Sequence, residues 1–155
     1  MISSRLVVAA LATVSVAALS IHPADAAVHK KKPIHGAYDV SLPPDPTLEV
    51  TGLGAPVPQV TPVCEAVNPL SYNNHPFTVP GAGKLEVNLQ GSSLPQADWD
   101  LYVLDSSKAV IAASHGATAT EAALVKFKSK ETVTIRVCNL IGDLSGHVDY
   151  TFTWK

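Results

Sequence analysis

Asp98 and Asp100 stand two residues apart in the run Asp98-Trp99-Asp100-Leu101-Tyr102-Val103-Leu104-Asp105. That spacing puts both carboxylates on one face of a β-strand. Calcium takes about six to eight oxygen ligands, so the pair could supply two of them. Asp143, together with Asp105 and Asp149, falls in nearby loops, and Asp98, Asp100 and Asp143 form the candidate metal set. The competing reading is that these carboxylates cap turns and solvate a sheet face, because no D-x-D-x-D-G loop occurs. Tyr102 shares the outward phase of Asp98 and Asp100. With Tyr72 it offers rings that a sugar or peptide could stack on.

Ser114-His115 pairs a hydroxyl with an imidazole in sequence, but adjacent strand residues point to opposite faces and cannot act directly as nucleophile and base. No G-x-S-x-G elbow is present, so no catalytic residue is assigned and the chain is read as a non-enzyme. His29 and His35 lie in a proline-rich segment, and His75 and His147 border strands, where they are expected at the surface.

Around these residues the chain carries the marks of export. Arg5, the apolar run from Leu6 to Leu19 and Ala24-Asp25-Ala26 are the three parts of a secretory signal, with cleavage expected near Ala26. The apolar run is short of the roughly 20 residues a spanning helix needs. The formal charge of −2 excludes nucleic acid and acidic lipid as expected partners. In an exported protein Cys64 and Cys138 are expected to pair. Their loop of about 75 residues would be worth roughly 4.5 kcal/mol by chain entropy.

Seven of the twelve prolines fall between Pro33 and Pro62, and this shift marks a boundary near residue 60. Three parts follow: a signal over 1–26, a Pro-rich extended arm over 27–60 and a folded domain over 61–155. Two alternating pieces of the arm, Tyr38 to Leu42 and Leu48 to Thr51, could add an edge strand, although proline flanks both.

From Thr61 onward, period-two alternation predicts seven strands: Phe77 to Val79, Lys84 to Gln90, Asp98 to Leu104, Ala109 to Ala113, Glu121 to Phe127, Thr132 to Asn139 and His147 to Lys155. Their apolar phases run through Leu85, Val87 and Leu89; Trp99, Leu101 and Val103; Ala123, Val125 and Phe127; Val133, Ile135 and Val137; and Val148, Tyr150, Phe152 and Trp154. Ala117 to Leu124 has helical propensity but reads better as a loop entering a strand. The fold class is all-β, a jelly-roll-like β-sandwich behind a Pro-rich extended N-terminal arm. Cys138 shares its strand face with Thr134 and Arg136, the polar side, so the Cys64 segment is expected to cross an outer face or edge of the sandwich.

From about Phe77 to Trp154 the chain resembles the bacterial pre-peptidase C-terminal domain. The matching pieces are Phe77-Thr78-Val79, Lys84 to Leu89, the Asp98 to Asp105 element, Ala109-Val110-Ile111-Ala112, Thr132 to Val137 and Tyr150-Thr151-Phe152-Thr153. The resemblance implies a secreted, non-catalytic accessory jelly roll that binds an extracellular protein, peptide or polysaccharide and in some members calcium. No peptidase is attached here, and the cysteine pair departs from the family pattern. A secreted protease inhibitor, with the arm or the Cys64 to His75 loop inserted into its partner, is the alternative.

Overall fold

Period-two alternation converts directly into buried and exposed faces. In Gly83–Gln90, Leu85, Val87 and Leu89 are fully buried while Glu86, Asn88 and Gln90 are exposed. The computed structural model describes residues 30–44, 69–91, 94 and 96–155. Within them eight strands form, with no helix: β1 (Ile34–Ser41), β2 (Tyr72–Val79), β3 (Gly83–Gln90), β4 (Asp98–Leu104), β5 (Val110–Ser114), β6 (Thr120–Phe127), β7 (Glu131–Ile141) and β8 (Ser145–Trp154). No helix among the described residues is long and apolar enough to cross a membrane.

The strands make two antiparallel four-stranded sheets, ordered β1-β8-β3-β6 and β2-β7-β4-β5. First pairs with last, second with seventh, third with sixth and fourth with fifth. This is one long hairpin folded over on itself, closed by the β3–β8 and β4–β7 pairings, and it is the topology of a jelly roll. The inner faces meet in one apolar core, with Leu85, Val87, Leu89, Trp99, Leu101, Val103, Ile135, Val137, Val148 and Phe152 all at 0 % exposure.

The expected inward phases are therefore realised, and Ala117 to Leu124 is a loop that enters β6. Three features differ from the sequence expectation. First, Ile34–Ser41 forms the edge strand β1, a longer element than Tyr38 to Leu42; Leu48 to Thr51 and the boundary near residue 60 lie outside the described residues.

Second, β2 runs back through Pro76 to Tyr72 rather than starting at Phe77. A sheet tolerates proline at an edge, where the missing donor has no partner to serve, and β2 is an edge. His75 consequently faces between the sheets, half-buried, instead of sitting at the surface. Its ring stacks on Tyr38 at 4.2 Å, and Phe77 and Tyr150 continue the ladder at 5.1 Å. Burial drives the Tyr38 hydroxyl far above its usual pKa, and that buried hydroxyl has no hydrogen-bond partner.

Third, the outward phase of β4 is dry. Asp100, Tyr102 and Leu104 are 9 %, 5 % and 1 % exposed, because a second small apolar cluster of Tyr102, Leu104 and Cys138 sits on the outer face of the β2-β7-β4-β5 sheet.

Two polar devices hold the ends. Asn139, fully buried in β7, donates from Nδ2 to the carbonyls of Leu42 at 2.7 Å and Asp143 at 2.8 Å, joining the exit of β1 to the β7–β8 turn. At the β4–β5 hairpin, Asp105 Oδ1 accepts from the backbone N–H groups of Ser107 and Ala109 and from the Ser107 hydroxyl. These bonds hold the Asp105 carboxyl below the usual carboxylate range. Asp105 thus takes the turn-capping role.

Candidate functional site

The candidate residues gather in one region because β4 and β7 lie side by side in the middle of their sheet. Register places Tyr72, Cys138 and Asp100 in one cross-strand row and Asn74, Arg136 and Tyr102 in the next. Alternation turns these rows to the outer face, so one proposed metal ligand, both proposed binding tyrosines and one cysteine are neighbours. Arg136 organises the second row. Its Nε donates to Asn74 Oδ1 at 2.7 Å, and its guanidinium lies 4.8 Å from the centre of the Tyr72 ring.

Tyr102 donates its hydroxyl to Asp100 Oδ2 at 2.8 Å, and the exposed His115 ring stacks on Tyr102 at 6.3 Å. Burial raises the Asp100 pKa, while the Tyr102 hydrogen bond and the His115 charge pull it down. The outer face is thus a network of interacting polar and aromatic groups. It is not an open stacking platform: Tyr102 is buried and Tyr72 half-buried.

Where β4 begins, β5 ends and β6 begins, a third carboxylate joins the two aspartates. Glu121 lies in the inward phase of β6 although its side chain is polar, and the β5–β6 connection folds around it. Ser114 donates a hydrogen bond from its hydroxyl to Glu121 Oε2, while Gly116 N–H at 3.2 Å and the Thr118 hydroxyl at 3.0 Å donate to Oε1. The same connection is tied to β4 by Trp99 N–H donating to the Thr118 carbonyl at 3.0 Å. Ser114 is therefore committed to Glu121, and His115 turns the other way onto Tyr102, as strand geometry requires of neighbours.

Asp98 differs from its two companions. A bulge between Asp98 and Trp99 breaks the register with β7, and Asp98 Oδ1 is buried without a hydrogen-bond partner. Burial first, then the charges of Asp100 and Glu121, push its pKa up to about 6. Glu121 escaped the sequence reading, although a glutamate in phase with Ala123, Val125 and Phe127 was a visible signal of it.

Asp143 sits exposed in the β7–β8 turn and is engaged through its backbone carbonyl. Among the described residues no group of three or more His, Cys, Asp or Glu is placed to hold a metal ion, so Asp98, Asp100 and Asp143 are not assembled as one site. Cys64 lies outside the described residues; Cys138 is fully buried, and no free cysteine occurs among the described residues. No protein-family model matches the chain, and no curated protein matches it.

Proposed function

We propose that the chain is a secreted, non-catalytic accessory domain of the pre-peptidase C-terminal kind, which serves an extracellular protein, peptide or polysaccharide and takes up calcium at Asp98 and Asp100. The observation that carries this reading is Asp98 Oδ1, a buried carboxylate oxygen without a hydrogen-bond donor, held beside a second carboxylate. Such an oxygen gains most from a proton or a cation. Asp98 and Asp100 would be the protein ligands, with Asp143 left aside.

The jelly-roll strand order supports the family part of the reading. Export rests on the signal over 1–26, and the Cys64–Cys138 pairing on the burial of Cys138 in the outer cluster. The non-catalytic part rests on the engagement of Ser114 with Glu121 and of His115 with Tyr102.

The test is a thermal melt of residues 27–155 in chelator and then in excess calcium. At about a hundred times its dissociation constant, a bound ion adds about 2.7 kcal/mol, a rise of roughly 10 °C or more. The rise should vanish in Asp98→Asn. An unchanged melt removes calcium from the reading and leaves a macromolecular partner as the ligand to seek.

A further inference from the structure

The sandwich has two open edges, and the chain treats them differently. On the side of β1 and β2 the gap between the sheets is filled by the rings of Tyr38, His75, Phe77 and Tyr150. On the side of β5 and β6 the inward positions include the small residues Ala112 and Ala123. What remains is an open groove of about 470 Å³ lined by Ile111, Leu124, Val125, Lys126, Phe127 and Glu131.

Three features mark this groove as a place to dock. β5 and β6 each pair on one side only, so each has an unpaired backbone edge. The register between β4 and β5 slips, with Val103 opposite Ala112 and Leu104 opposite Val110. Ile111 is left without a cross-strand partner and turns to the groove, the kind of re-aiming a bulge produces. Ile111 and Leu124 are 38 % and 49 % exposed, although the interior a few ångströms away is dry.

Charge then selects the partner. Lys126 lies in the groove and Lys128 and Lys130 follow in the next turn; Glu131 is the one carboxylate of the lining, and Glu86, opposite Leu124, is paired with Lys84 at 3.7 Å. A second copy of β6 would bring lysines toward lysines. An extended strand that alternates acidic and apolar residues would meet both the lysines and the apolar lining.

We propose that the β5–β6 edge receives such an acidic, apolar segment of a partner protein, which pairs with β6 as a fifth strand of its sheet. The groove lies toward the opposite end of β6 from Glu121, so this inference stands apart from the calcium reading and can fail without it.

The test uses the full chain and a fluorescent peptide alternating glutamate and valine, as long as the eight residues of β6. Anisotropy should show saturable binding that Leu124→Asp and Lys126→Glu each weaken by about tenfold or more. Leu144→Asp, at an exposed leucine of the β7–β8 turn, should leave it unchanged. A peptide with lysine in place of glutamate should not bind. Absence of saturable binding at low salt, equal binding of the lysine peptide, or indifference to Leu124→Asp would each overturn the proposal. So would a dimer, seen by sedimentation, that Leu124→Asp dissociates.

Discussion

Gly146 of β8 and Trp99 of β4 face each other across the two sheets with no room for a side chain between them: a Cβ on Gly146 would stand 2.8 Å from Trp99 Cζ3. Gly91, at the exit of β3, meets the other side of the same indole, where a Cβ would lie 2.6 Å from Cδ1. Trp99 is fully buried and cannot swing aside. Gly146→Ala and Gly91→Ala should each destabilise by about 1–3 kcal/mol through overpacking, a fall of about 5 °C or more in melting temperature. The smaller ring of Trp99→Phe should recover part of that loss in a double variant; independent, additive effects would show that the glycines answer to something other than this indole.

Asp98 should make the domain more stable in mild acid. Its folded pKa is raised to about 6, so the folded state holds the proton more tightly than the unfolded chain does. The contribution is complete below the ordinary aspartate range and is lost as pH rises through about 6. Asp98→Asn should therefore flatten the stability profile between about pH 4 and 6 and should not destabilise at neutral pH. Urea midpoints across that range test it, and an unchanged slope in the variant would refute the role of Asp98.

A second titration belongs to the outer face of the other sheet. His147 Nδ1–H donates to Asp39 Oδ1 at 2.5 Å, joining β8 to β1, with Asp149 Oδ1 3.4 Å from Nε2. The hydrogen bond to Asp39, then the charge of Asp149, raises the His147 pKa. The support it gives the edge strand is fully present below the unfolded histidine value and disappears as pH rises through the folded one. Amide exchange in β1, measured against that in β3, should quicken over this interval, and His147→Gln should remove the pH dependence. A β1 exchange rate that tracks β3 at every pH would count against it.

Two turns should respond in opposite directions. Lys108 closes the β4–β5 hairpin with φ of 68°, a left-handed conformation that disfavours a side chain. Lys108→Gly should be neutral or stabilising by up to about 1 kcal/mol, since glycine relieves the strain but loses more chain entropy. Gly142, with φ of 132°, occupies backbone that only glycine adopts readily. Gly142→Ala should destabilise by about 1–3 kcal/mol. Thermal melts of the two variants decide it; equal shifts of the same sign would contradict the backbone argument.

The legible part of this molecule was the part governed by alternation. Leu85, Val87 and Leu89 declare their faces because each is flanked by polar residues that must stay wet. Two kinds of information lay beyond that signal. Pro76 hid the first half of β2, since a local rule about proline cannot know that the strand will end up at an edge. The dry outer phase of β4 was hidden for a related reason: Asp100 and Tyr102 have the composition of an exposed face, and only pairing with β7 sets them against each other and beside Arg136. The carboxylate cluster was half visible. Asp98 and Asp100 are near in sequence, whereas Glu121 comes to them through the β5–β6 connection, a contact between two sheets.

Pairing first strand with last has a consequence for how the chain is made. Ile34 finds its partner in Phe152, and β8 also separates β1 from β3, so one sheet has no centre until β8 has been synthesised. A nascent chain stopped before Ser145 would hold a lone β3–β6 hairpin and an unattached first strand, with the apolar faces of both sheets open to water. Such long-range closure is slow and exposes the unfinished chain to aggregation. The sheet of β1, β8, β3 and β6 is completed only once β8 has been made, rather than piece by piece along the way.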